Sequence, residues 1–305
     1  MNMTSEKFFA ELHRRIDALG KEPTEEEFNS IADQVMKEFN KRADEAEIGD
    51  LQMDEYDYLE LAADAKTKKA KREYLLKGLE VAPDNFDLRR ELLKTGKFTP
   101  VERLKALDGL IDEAAAEIER DNGFKEYAGL FWGVFETRPY MRLRMERFIH
   151  LYRMGMFSQA VNEAKDMLRL SSADNLGVRY MLVFLYALRE DAQAMERLIK
   201  KYGMEDSTAA MLVETVLYYK RCDFDRAASK LNGLCKVVKG AKTIFRDLKG
   251  IDEYLLPFEH DIEYYTIYSS EELMSSIIDN APVFRSLTGF FTWAYEVTKS
   301  GKRAF

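Results

Sequence analysis

Apolar residues return every three to four positions along most of this chain. Across 139–154, Met141, Met145, Phe148 and Tyr152 are spaced so that they share one helix face. No stretch alternates strictly between apolar and polar, as a half-buried strand would. Helix start signals recur. In "PTEEEF", Thr24 and Glu27 stand as cap and third residue of a capping box. In "TPVERL", Thr99 and Glu102 do the same around Pro100. "DNG" at 121–123 is a stop signal.

The pattern predicts helices over 5–19, 25–43, 54–66, 68–81, 85–95, 100–121, 124–134, 139–154, 157–170, 175–188, 191–202, 207–221, 224–238, 257–267, 270–280 and 283–299. Residues 240–256 have no clear period. The fold class is therefore all-α.

Two internal echoes organise these helices. Ala160, Ala194 and Ala228 are 34 residues apart, each near the start of the second helix of a pair, where a small side chain lets helices approach closely. Residues 70–90 also align without gaps to 160–180, with Ala70 on Ala160 and Asp84-Asn85 on Asp174-Asn175. The Asp of each pair is placed to cap the next helix.

Composition supports a folded helical chain: 46% of the 305 residues are apolar, with only 16 glycines and 6 prolines. The net charge of −8 argues against general nucleic-acid binding. The charge is unevenly placed. Residues 1–130 hold 21 basic and 31 acidic side chains, 131–250 hold 21 and 14, and 251–305 hold 4 and 9. A basic middle between acidic ends fits either an anionic partner or internal neutralisation.

The opening "MNMTSEKFFAELHRR" lacks a signal peptide's apolar core, and no run is apolar enough for a membrane span. Cys222 and Cys235 are too few for a disulfide framework, so a cytoplasmic location is expected. His13, His150 and His260 do not pair at metal-ligand spacing, although His260 and Glu263 share a helical face and offer half a site. Signature motifs for serine hydrolases, P-loops and dinucleotide binding are missing. The expectation is a non-enzymatic protein with no cofactor.

The repeat residues resemble the tetratricopeptide repeat, best over 141–174, fairly over 175–208 and 209–240, and partially over 51–95. The motif's Trp is absent, and Pro is lost after 170 and after 204. "TRPYMRLR", "EAKDMLRLSSADNLGVRYMLVFLY" and "LTGFFTWAYE", in that order, also resemble a group of bacterial proteins of this repeat type and, more distantly, the suppressor of tumorigenicity 7 family, over roughly 128–298. The resemblance implies an α-α superhelix of stacked hairpins. It implies an N-terminal helical region, 1–123, followed by a repeat region, 124–305, closed by capping helices.

It also implies which positions of the first helices line a concave face. They include Arg142, Arg153, Arg179, Lys220 and Arg221 around Tyr152 and Tyr186. Arginine binds carboxylates with two prongs, and tyrosine adds apolar area with a polar tip. The expected function is a protein-interaction scaffold holding an acidic or carboxylate-ended peptide in that groove. Two alternatives are self-association, with one copy's acidic N-terminal segment in another's groove, and a metal-dependent enzyme around His260. Internal neutralisation of the arginines by Glu146, Glu214 or the acidic N-terminal helices is the structural counterpart to binding.

Overall fold

A computed structural model describes residues 3–21, 23–44, 53–120, 122–262 and 264–300. Among these there are seventeen α-helices, one short 3-10 turn and no strand, so the fold is all-α. The tail 301–305 and residues 51–52 of the expected first repeat lie outside the described residues. The chain divides into two compact units, Met1–Arg147 and Phe148–Phe305.

The first unit contains α1 (Met3–Asp17), α2 (Glu25–Asp44), α3 (Glu55–Asp64), α4 (Lys68–Val81), α5 (Phe86–Thr95), α6 (Pro100–Arg120) and α7 (Gly123–Glu126). Both capping boxes form. Glu27 N–H donates to Thr24 Oγ1 at 3.2 Å while Thr24 N–H donates to Glu27 Oε2 at 2.9 Å. Thr99 and Glu102 repeat this at 3.3 and 2.8 Å. Leu59, Ala62, Leu75 and Leu88 from α3, α4 and α5 make one apolar core. Gly78 lets these helices close up: a Cβ there would sit 2.8 Å from Leu88.

Helix α8 (Arg138–Arg153) contains the division between the units. The second unit continues with α9 (Phe157–Leu170), α10 (Val178–Leu188), α11 (Ala192–Tyr202), α12 (Thr208–Lys220), α13 (Phe224–Val237), α14 (Ala241–Asp247), α15 (Ser270–Asp279), α16 (Ala281–Phe284) and α17 (Phe290–Ser300).

Helices α8, α10 and α12 end in the same way. Met156, Asp191 and Asp223 each donate N–H five residues back, to the carbonyls of Leu151, Tyr186 and Tyr218, each at 2.9 Å. The residue before each donor is left-handed: Gly155, Glu190 and Cys222. The 34-residue spacing of the alanines is thus looser in the turns. Only Gly155 suits its conformation without cost. Asp191 and Asp223 then cap α11 and α13.

The 70–90 and 160–180 echo diverges at its end. Asn85, not Asp84, caps α5. Asp174, itself left-handed, accepts from the amides of Val178 and Arg179 at 2.8 and 2.9 Å.

Three expected helices are corrected. The described residues of 257–267 form no helix. The guanidinium of Arg285 sits 3.8 Å from the Phe258 ring centre and takes the Leu256 carbonyl, while Arg153 takes the Phe258 carbonyl at 2.7 Å. Ile262 N–H goes to His260 Nδ1 at 3.1 Å. Distant side chains therefore use the groups a helix would pair within itself. Over 124–134 only α7 forms, because Gly129 is left-handed and the Thr137 hydroxyl holds the Phe131 carbonyl. The stretch 283–299 breaks at left-handed Gly289, whose N–H donates to the buried Glu253 carboxylate at 2.8 Å.

Candidate functional site

The five arginines of α8 point to distinct partners. Arg138 Nε donates to the Trp132 carbonyl at 2.9 Å. Arg142 pairs with Asp87 of α5 through both carboxylate oxygens, at 2.8 and 2.5 Å. Arg144 is buried against Tyr140 and donates to its hydroxyl at 2.6 Å. Arg147 pairs with Asp108 of α6 at 2.6 Å. Arg153 Nη1 lies 3.1 Å from Glu259. Glu146, on the same helix, receives Arg103 at 2.5 Å, Lys94 at 3.3 Å and Arg90 at 3.5 Å. These are internal contacts.

The other residues expected in the groove are also engaged. Tyr152 is a core residue, 1% exposed, and its hydroxyl donates to Asn280 Oδ1 at 3.1 Å. Burial pushes its phenol well above the ordinary value, with Asp279 adding to the effect. This corrects its expected place on an open surface: the chain's own α15–α16 corner covers it. Arg179 pairs with Asp174 at 2.9 Å and stacks on Tyr180 at 4.4 Å. Lys220 donates to the Leu188 carbonyl, and Arg221 to the Glu190 carbonyl at 2.8 Å. Two cations thereby satisfy the carbonyl end of α10. The first helices also take aromatic rings from the C-terminal segment. Phe184 packs on Phe284 at 5.9 Å, and Tyr219 on Phe290 at 5.1 Å and Trp293 at 4.9 Å.

Tyr186 is the exception. It lies at the floor of an open cleft of about 710 Å³ between the second helices α9 and α11. Lys165 and Arg169 are one turn apart on α9. Arg197 and Lys201 are one turn apart on α11. Arg189 follows the end of α10. Val161, Leu168, Leu182 and Leu198 add apolar area.

Asp191 is the carboxylate lining the cleft, and it is committed to the Ala194 amide at 3.0 Å. Arg169 pairs with Asp166 at 2.8 Å. Lys165, Arg189, Arg197 and Lys201 are exposed and make no ion pair with a described residue. Tyr186 is half-buried. Burial raises its phenol, Asp191 adds to this, and Arg197 and Arg189 oppose it.

Sequence reasoning reached Tyr186 but missed the four cations, because they lie on the second helices or beyond a helix end. The signal for three of them was present in two basic pairs four residues apart, Lys165/Arg169 and Arg197/Lys201; Arg189 had none. The arrangement offers fixed positive charge beside an aromatic floor, which suits carboxylates on an extended or helical segment.

His260 serves the fold. Its Nδ1 accepts from Ile262 and its Nε2 lies 3.4 Å from Asp279. Among the described residues no three His, Cys, Asp or Glu side chains are grouped to hold a metal ion. No helix is long and apolar enough to cross a membrane.

No family model, curated protein or solved structure matches the chain.

Proposed function

We propose that the protein is a non-enzymatic interaction scaffold of tetratricopeptide type that holds an acidic or carboxylate-ended peptide in the Tyr186 cleft. The observation that carries this reading is the set of four cations, Lys165, Arg189, Arg197 and Lys201, left without carboxylate partners around one aromatic floor. Unneutralised like charges so close together repel one another, and an anionic ligand relieves that repulsion. The arginines of α8 are engaged elsewhere: Arg142 and Arg147 tie α8 to α5 and α6, and Arg153 holds the segment at Phe258–Glu259. The free thiols of Cys222 and Cys235 support a reducing, cytoplasmic setting.

The test is a fluorescence anisotropy titration with a labelled Glu- and Tyr-rich peptide bearing a free C-terminus. The Arg189→Glu/Arg197→Glu variant, shown folded by circular dichroism, loses about tenfold or more in affinity. Wild-type binding weakens as salt rises. Equal affinity in the variant and the wild type would overturn the proposal.

A further inference from the structure

The stretch between α14 and α15 differs from the rest of the chain. From Ile251 to Ser269 the sequence holds five acidic residues and no Lys or Arg. Within it, Tyr254, Leu255, Tyr264, Tyr265 and Ile267 are 65, 73, 89, 52 and 69% exposed, the densest run of exposed large apolar side chains among the described residues. Single exposed apolar residues need no explanation, but a cluster of this kind marks a contact surface.

The base of this strap is firmly held. Arg153 and Arg285 flank Phe258, with guanidiniums 5.4 and 3.8 Å from its ring centre, and His260 reaches Asp279. The described residues of its outer part, 261–262 and 264–267, are presented without regular secondary structure. Arg153 shows within one molecule how this chain's arginines take such a segment: a guanidinium on the Glu259 carboxylate, on a backbone carbonyl and over an aromatic ring.

Strap and cleft are complementary. One is acidic and rich in exposed tyrosine. The other is basic with an apolar and tyrosine floor. We infer that the occupant of the Tyr186 cleft is the strap of a second copy of this chain. This rests on the cleft being an acidic-segment site, as proposed above, and names its partner. Because the two surfaces differ, the contact is head-to-tail: each copy offers one cleft and one strap, and association continues into rings or open chains. Charge complementarity makes it salt-sensitive.

Analytical ultracentrifugation across the micromolar range tests the inference. Wild-type protein sediments as species heavier than the monomer at low salt and returns to monomer at high salt. A cleft variant, Arg189→Glu/Arg197→Glu, and a strap variant, Asp261→Lys/Tyr264→Ser, are each monomeric. Both are changed only at exposed positions, and circular dichroism verifies their folding. Mixed together they form a one-to-one heterodimer and stop there, since one keeps its strap and the other its cleft.

A monomeric wild type at low salt overturns the inference. So does association that survives either variant, or a mixture that stays monomeric. If the wild type is monomeric yet binds the acidic peptide through the cleft, the scaffold reading stands and the self-partner is wrong. If it does neither, both readings fall.

Discussion

Arg142 and Asp87 form a two-pronged ion pair between α8 and α5, with Nε 2.8 Å from Oδ1 and Nη2 2.5 Å from Oδ2. Their side chains are 16 and 12% exposed, so each charge is largely removed from water, and Arg90 Nε, 3.4 Å from Asp87 Oδ1, is a second cation on the carboxylate. A residue placed by its repeat position in a binding groove is thus a structural clamp.

Removing Arg142 leaves Asp87 with Arg90 alone. Arg142→Ala lowers unfolding free energy by roughly 2 kcal/mol, read by urea denaturation. Asp87→Ala/Arg142→Ala costs less than the two single changes summed, because neither charge is then stranded. Additive losses would show that the pair is not coupled.

Acid acts on the same unit through Glu91. Burial pushes this carboxyl up, but Lys94, Arg90 and Lys71 outweigh burial and hold it at about 2, against an ordinary 4.5. Lys94 Nζ lies 2.6 Å and Lys71 Nζ 2.8 Å from its oxygens. A depressed carboxyl contributes stability that is fully present above pH 4.5 and is lost as pH falls toward 2. The contribution is of order 3 kcal/mol. Glu91→Gln therefore lowers the melting temperature at pH 7 and changes it little at pH 2. An equal drop at both pH values would contradict this.

Cys222 is exposed and left-handed, with φ of 56°, at the turn that Gly155 occupies after α8. Glycine takes that conformation freely, so Cys222→Gly raises stability by roughly 0.5–1 kcal/mol, measured as a higher melting temperature. An unchanged or lower melting temperature would show that the turn is not strained. The other thiol, Cys235, is pushed up to about 11 by burial, with Lys242 opposing, and so alkylates slowly at neutral pH.

The fold was legible where local chemistry decides it. The Thr24–Glu27 and Thr99–Glu102 boxes, the stripe from Met141 to Tyr152 and the helices 68–81 and 157–170 need only neighbouring residues to form. What was not legible depends on distant partners. Residues 257–267 carry a helical period, yet Arg153 claims the Phe258 carbonyl and Arg285 the Leu256 carbonyl just before them. Arg142 reads as available until Asp87, 55 positions earlier, is brought beside it. Of the candidate site, Tyr186 was found by repeat position. The cations around it lie on α9 and α11 and just after α10, outside the first-helix positions that the repeat resemblance implies.

The most direct test of the account is hydrogen–deuterium exchange with and without the acidic peptide. The account predicts new protection in α9, α10 and α11, across 157–202, and none in 138–153. Protection concentrated in α8, with 157–202 unchanged, would place recognition on the arginine-rich helix and contradict it.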